Sequence, residues 1–550
     1  VSGPAQAGRA LAGLWGTEVV RTTYAGHPGL ALHPRPTSLG EMLTGTPRWA
    51  DRTFIVQGRR RISFRRFLGA VELAAAELAR RGVRPDDHVM LLAYNSPDWI
   101  LALWAAWYAG AVPVLGNRWW SPDEIEHACG LTRPALVITD IPGPGERFPA
   151  ATITPVDLAG AFESASDDAS TADLERLLAA MPAPEEDTPA LVIFTSGSTG
   201  APKGVVLSHR SVIANQHNLL SRSGRLPKDL PESAPPPVTL VCTPLFHIGG
   251  ISNLITNLIT GGTLVLNEGR FDPAQILELI ETERVQSFGG VPTMAIRVLE
   301  HPDFETRDLS SLRSWPLGGA PVPASLLESM RRKLPQLQRR GLGNTWGMSE
   351  SGGFLTVAGN RDLAQRPGTV GRPYPVVEVR IGDPGETGGG EILVRSPTVM
   401  LGYLTPDGEG DGTVDADGWL HTGDIGHLDD DGYLYLDGRS KDIVIRGGEN
   451  IACAHVETAL AQHPDVIEVA VFGVPHPDLG EELAAVLVVR PGTAPTEDEL
   501  REFLTGTLAY FEIPTLWRIR SEALPTLPGE KIDKKALRAS LSAPAPAKRG

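Results

Sequence analysis

Cysteine is scarce: Cys129, Cys242 and Cys453 are the only three in 550 residues, with no CxxC pair and one left over in any pairing. This excludes a disulfide-stapled module and fits a reducing, cytoplasmic compartment. Long apolar runs are missing too. The longest, residues 238–266, is broken by Pro244, His247, Asn253, Asn257 and several glycines. The opening VSGPAQAGRALAGLWGTEVV has no long apolar core behind basic residues, so neither a signal peptide nor a membrane span is expected. Positive charge is in deficit, 50 Lys plus Arg against 66 Asp plus Glu for a net charge of -16. That balance argues against nucleic acid as a partner, while a phosphate site still needs only a few local donors. What remains is ordinary globular composition, 41% hydrophobic and 21% charged, in a chain longer than one core supports. Two or more packed units follow.

The first forty or so residues, rich in Gly, Ala and Pro, read as a loosely held arm followed by a short helix at 39–43. Beyond it, short β-branched runs alternate with amphipathic stretches. The pattern predicts a hairpin over 53–64, a helix over 67–82, a strand over 88–94, a helix over 98–110 and a strand over 111–116. Such alternation favours an α/β architecture with largely parallel sheets. Two stretches, 163–175 and 225–237, break the pattern and read as surface excursions. The polar DGRSKD at 437–442, between YLYL and IVIR, marks a domain boundary: a large unit over 1–440 and a small α+β unit over 441–550.

The strongest chemical signal is LVIFTSGSTGAPKGVVLSH at 191–209. A buried strand leads into Thr195, Ser196, Gly197, Ser198, Thr199, Gly200, Ala201, Pro202, Lys203 and Gly204. Glycines free backbone N–H groups to curl around an anion, and the hydroxyls add donors. The segment is therefore a phosphate cradle. It is not a Walker A loop, because Lys203 follows Gly200 by three residues and precedes Gly204, where that loop has Ser or Thr.

These residues resemble the adenylate-forming superfamily that contains acyl-CoA synthetases, peptide-synthetase adenylation domains and firefly luciferase. Further matches follow in family order: PLFHIGG at 244–250, LGGAPVP at 317–323, NTWGMSE at 344–350, GWLHTGD at 418–424, DGRSKDIVIRGGENI at 437–451 and LPTLPGEKIDK at 524–534. The resemblance implies a large domain of parallel-rich α/β subdomains plus a β-barrel-like subdomain, with a small mobile C-terminal domain. It implies ATP, Mg²⁺ and coenzyme A as reactants, with acyl-AMP as intermediate. The alternative keeps acyl-AMP or hands the acyl group to a carrier protein or partner enzyme.

The resemblance also implies roles. Residues Thr195 to Lys203 would hold the β- and γ-phosphates, and Glu350 with Thr195 the Mg²⁺. Asp424 and Arg439 would bind the ribose. Gly319, Ala320, Asn344, Thr345, Trp346 and Ser349 would complete the nucleotide site, Trp346 standing where tyrosine is more usual. Lys531 would bridge the acyl carboxylate and the α-phosphate, with Lys534 and Lys535 as nearby alternatives. The family usually has glycine immediately before that lysine; here Gly529 is followed by Glu530. His247 would lie between acyl pocket and α-phosphate, and Gly249, Gly250, Gly318, Trp346 and Gly347 would line a pocket roomy enough for a bulky acid. Lys441 would be the hinge and Gly447, Gly448 and Glu449 the CoA-side loop. In that loop Cys453 and His455 stand where relatives commonly have proline and an acidic residue, Cys453 being read as a packed thiol. The aspartate that holds an α-amino group in amino-acid-activating relatives is missing, His247 and Ile248 taking its place, so the substrate expected is a fatty, aryl or polycyclic acid. Oligomeric state stays open, a homodimer among the options.

Overall fold

The computed structural model describes residues 11, 13–142, 148, 151–195, 202–338, 341–384, 389–405, 412–439, 442–446, 449–527 and 529–542. They form a mixed α/β chain with a large N-terminal domain and a small C-terminal one. In the first sheet, strands Ala151–Ile153, Leu136–Thr139, His88–Leu92, Val112–Leu115 and Pro189–Thr195 run parallel. Lys203–Ser208 and Gly402–Leu404 extend it with antiparallel pairing. A second sheet pairs Ser287–Phe288, Val238–Val241, Thr263–Leu266 and Thr53–Gln57 in parallel, with Arg60–Ser63 returning antiparallel as the expected hairpin.

Between these sheets lies the main core. Helix Phe64–Arg80, capped by the Ser63 hydroxyl, buries Phe64, Phe67, Leu68, Val71, Ala74 and Leu78 at helical spacing. Helix Pro97–Tyr108 is apolar all round and correspondingly buried from Pro97 to Trp107. Parallel strands covered by helices on both faces need no alternation, which is why HVMLL and LVIT read as continuous apolar runs.

A third sheet of eight strands runs from Trp315–Gly318 to Glu378–Gly382. Only Trp315–Gly318 and Leu342–Met348 pair in parallel there; the remaining pairings are antiparallel. In the small domain, Val466–His476 and Gly480–Val489 pair antiparallel, with Leu516–Arg520 parallel to the latter. Helices Cys453–Leu460 and Glu497–Leu504 close its core over Val456, Leu460, Val471, Leu483 and Leu500. Cys453 belongs to that core, and burial pushes its thiol up to about 12, as befits a packing residue.

One expectation needs correction. Residues 13–38 are not a loose arm: Glu18–Tyr24 and His27–His33 form an antiparallel hairpin turning at Ala25 and Gly26, both at positive φ. Trp15 ahead of it is wholly buried, and His217 Nε2 donates to the Gly16 carbonyl at 2.8 Å. The acidic stretch 163–175 is largely exposed, as expected of a surface excursion, and carries helices, Gly160–Ser164 and the start of Thr171–Ala179, which bury Phe162 and Leu174. A reciprocal cap between Ser170 and Asp173 starts the second helix, so acidic residues that look like loop are helix punctuation.

Candidate active site

Strand Pro189–Thr195 ends where Lys203–Ser208 begins, Thr195 facing Lys203 across the ladder. Ser196, Gly197, Ser198, Thr199 and Gly200 lie outside the described residues. Thr195 lies beside Glu350, a buried carboxylate: Thr195 Oγ1 stands 3.5 Å from Glu350 Oε1, and Tyr403 Oη donates to the same oxygen at 2.7 Å. The Lys203 ammonium sits 4.4 Å from the Tyr403 ring centroid. Tyr403 comes from the short edge strand Gly402–Leu404 and faces Val205, so the third strand of this ladder fixes both the acid and the cation.

A second cluster occupies the eight-stranded sheet. Asp424 and Arg439 are register partners on neighbouring strands, and Arg439 Nε donates to Asp424 Oδ1 at 2.7 Å. The Trp346 indole N–H donates to Asp424 Oδ2, also at 2.7 Å. Asp424 is only 4% exposed, yet a carboxylate can accept about four hydrogen bonds, so capacity remains for two adjacent hydroxyls. Ser349 follows in the turn after Leu342–Met348, its carbonyl accepting from Gly352 N–H.

Lys531 reaches this region from the small domain. A Cβ built on Gly319 would lie 3.5 Å from Lys531 Cε and 3.8 Å from its Nζ. Gly319 itself has φ +74, so the strand end turns away and leaves the lysine its path. Lys531 is open to solvent but ringed by protein; that enclosure and the Arg439 charge hold its ammonium below the ordinary lysine range, against the pull of Asp424 and Glu350. Lys534, by contrast, is bound 2.8 Å from Glu457 inside the small domain. Gly529, two residues before Lys531, brings the loop within 3.2 Å of His247 Nε2, measured from a Cβ built on the glycine.

The strand entering the Ser/Gly-rich segment, an acid beside it, a carboxylate–guanidinium pair and a lysine supplied by a second domain thus face one region. The AMP-binding enzyme family model matches residues 45–404, and the AMP-binding enzyme C-terminal domain model matches residues 455–528. The chain belongs to the AMP-binding enzyme family. It is 35% identical over 492 residues to a feruloyl-CoA synthase of Amycolatopsis, covering 86% of this chain and 94% of that protein. It is 32% identical over 528 residues to the 3-[(3aS,4S,7aS)-7a-methyl-1,5-dioxo-octahydro-1H-inden-4-yl]propanoyl:CoA ligase of Rhodococcus jostii, covering 92% and 99%. Among solved structures it resembles the o-succinylbenzoate CoA synthetase of Bacillus subtilis in complex with its acyl-adenylate intermediate. The TM-score there is 0.76 at 28% identity, covering 93% of this chain and 98% of that one.

In this AMP-binding enzyme several expected site residues are turned differently. Trp346 is no open aromatic wall: it is 6% exposed and packs with Leu355, Val370, Tyr374, Ile392 and Leu434, offering only its N–H to Asp424. Strand alternation explains this, since Asn344 and Trp346 share the buried face. Asn344 Nδ2 is spent on the Thr369 carbonyl at 3.2 Å. Thr345 points the other way, bonding the Leu317 carbonyl, and Gly319 and Ala320 are exposed beside it.

The expectation of a roomy, glycine-lined pocket is likewise corrected. A Cβ at Gly318 would meet Thr345 Oγ1 at 2.5 Å, at Gly347 the Gly353 carbonyl at 2.1 Å, and at Gly250 the Pro244 carbonyl at 2.6 Å. These glycines serve close packing. Gly249 is different, with Phe354 Cζ its only such neighbour among the described residues, at 4.0 Å. Lys441, Gly447 and Gly448 lie outside the described residues, while Glu449 heads strand Glu449–Ala452 and is exposed.

Sequence reasoning missed Tyr403, Arg297 and Glu468. Nothing local marks Tyr403, whose strand meets Lys203–Ser208 only in the folded ladder. Arg297 and Glu468 meet only through the docking of the two domains. Among the described residues no three His, Cys, Asp or Glu side chains gather as a metal cage, and no helix is long and apolar enough to cross a membrane.

Proposed function

We propose that this enzyme activates a hydrophobic carboxylic acid with ATP, forming acyl-AMP and pyrophosphate, and then passes the acyl group to coenzyme A. The observation that carries the reading is the Lys531 ammonium, delivered by the small domain to 3.8 Å from the point where a Cβ on Gly319 would sit, in the field of Asp424, Arg439 and Glu350. A carboxylate oxygen attacks the α-phosphorus, the bond to the β-phosphate bridge breaks, and pyrophosphate leaves with the electron pair. Two anions must meet for this, and the Lys531 ammonium lies where it can contact both. Asp424 and Arg439 grip the ribose; Thr195 and Lys203 hold the phosphate end. In the second step the CoA thiol gives its proton to solvent and attacks the acyl carbon as the thiolate, the bond to AMP breaks, and AMP leaves with the electron pair.

Glu350 and Thr195 offer hard oxygen donors with a single carboxylate, a set that fits Mg²⁺, which keeps waters and shares substrate phosphates. Bound there, it would neutralise phosphate charge. The division between domains falls at 440/441, between strands Leu434–Arg439 and Ile443–Arg446. His247 and Gly249 belong to the acyl side, and with Ile248 they offer no carboxylate for an amino group. Buried, unpaired cysteines support a reducing, cytoplasmic setting. The relatives named above are CoA ligases or synthases, which disfavours the adenylation-only alternative.

The test is pyrophosphate release across a panel of hydrophobic acids, with and without CoA, and mass detection of products. Acyl-CoA formed only when CoA is added supports the reading. Acyl-AMP that accumulates regardless of CoA defeats its second half.

A further inference from the structure

The loop that delivers Lys531 is held by one arginine of the large domain. Arg297, on helix Pro292–Leu299, uses all three guanidinium nitrogens on the small domain. Nη1 meets Glu530 Oε2 at 2.5 Å, Nε meets Glu468 Oε1 at 3.3 Å, and Nη2 donates to the Leu524 carbonyl at 3.2 Å. The partners are themselves tied together. Glu468, 4% exposed, takes the Leu524 N–H on its other oxygen at 2.7 Å. Thr526 Oγ1 donates to Glu530 Oε2 at 3.3 Å, and the Thr293 hydroxyl, one helical turn before Arg297, donates to the Glu530 carbonyl. The turn closes through Leu527 N–H to the Lys531 carbonyl at 2.7 Å.

Glu530 is the residue immediately before Lys531, and its φ is +62. Glycine takes that conformation freely; a glutamate does not, and holds it only where its surroundings fix it. Here the surroundings are Arg297, Thr293 and Thr526. A strained side chain next to the lysine, gripped by the opposite domain, is a device that an unstrained glycine would lack.

We propose that Arg297 is a positioning residue that latches the small domain in its adenylating arrangement, acting through Glu530, Glu468 and the Leu524 carbonyl to seat Lys531 beside Gly319. The inference rests on the proposed function. It makes a specific demand: the latch serves adenylation and must release before the thiol step, so the two half-reactions depend on it differently.

Two experiments test it. The first is independent of any acid. Ser325 Oγ and the Ala461 carbonyl meet across the same interface at 2.8 Å, and the native cysteines Cys129, Cys242 and Cys453 are buried. The full chain carrying Ser325→Cys and Ala461→Cys is treated with a short bis-maleimide. Adding Arg297→Ala is expected to slow cross-linking several-fold, and an unchanged rate overturns the proposal. The second measures single-turnover acyl-AMP formation and, separately, thioester formation from supplied acyl-AMP. Arg297→Ala and Glu530→Gly are each expected to slow the first by roughly 10- to 100-fold, the scale of a lost charge-assisted cluster, and to leave the second unchanged or faster. Glu530→Gln, which keeps shape and contacts but not charge, should lose less. Equal losses in both half-reactions, or none in the first, overturn the latch. A wild-type enzyme that forms no acyl-AMP from any acid defeats the proposed function instead, while the cross-linking result still judges the latch.

Discussion

Replacing Tyr403 with phenylalanine removes one oxygen atom and leaves the ring that Lys203 faces. The lost bond is short, 2.7 Å, and ends on a carboxylate that is 7% exposed. A hydrogen bond to a charged, desolvated acceptor contributes about 1.5–3 kcal/mol, and partners that orient a metal ligand typically affect metal affinity or activity by roughly 10- to 100-fold. The two figures agree, since about 1.4 kcal/mol is a factor of ten. Thr195 alone, at 3.5 Å, is at the outer limit of a hydrogen bond and cannot hold Glu350 in one rotamer. The assay is pyrophosphate release as a function of Mg²⁺ at saturating acid. The half-saturating Mg²⁺ concentration should rise by about tenfold or more, with unchanged thioester formation from supplied acyl-AMP. A Tyr403→Phe enzyme with wild-type Mg²⁺ dependence would refute the orientation argument and detach Glu350 from the metal.

Because Lys531 titrates below an ordinary lysine, its charge is lost at lower pH on the alkaline side. The adenylation rate should fall there, with Asp424→Asn moving that limb further down and Arg439→Gln moving it up, read from pyrophosphate release against pH. Gly249→Ala should leave thermal stability intact and change the preferred acid, whereas Gly347→Ala, whose Cβ would strike the Gly353 carbonyl, should lower the melting temperature for every substrate. Lys534→Met should destabilise the small domain by about 1–3 kcal/mol near neutral pH, because it strands Glu457. Burial already holds the Glu457 carboxyl above its ordinary range, so the penalty should shrink in acid as the carboxyl takes a proton; an equal loss at pH 5 and pH 8 would contradict this.

The parts legible in the sequence are those set by local rules. The alternation over 53–116 gave strands and helices within a few residues, because apolar periodicity reports burial directly. Thr195, Glu350, Asp424, Arg439 and Lys531 converge in space from segments up to 336 positions apart, and each announced itself within a short motif. The N-terminal hairpin was hidden because Gly and Ala dominate the composition around a pattern only seven residues long on each side. Trp346 was misjudged because a strand residue's face depends on register, and its neighbours Val370 and Leu434 are distant in sequence. Glycines 318 and 347 read as open space, yet what fills that space is a hydroxyl or carbonyl from the neighbouring strand. The Arg297–Glu530 contact spans 233 positions and two domains, and no local pattern foretells such a pair.

The ladder joining Asp424 to Arg439 belongs wholly to the large domain, whereas Lys531 is a visitor from the small one. Were the visitor to withdraw, the two-strand Asp424–Arg439 clasp would lose none of its own bonds. On the proposed function, a reactive mixed anhydride held there by its nucleotide end would stay tethered while the machinery around its acyl end is exchanged, which would keep it from escaping into water between the two halves of a turnover.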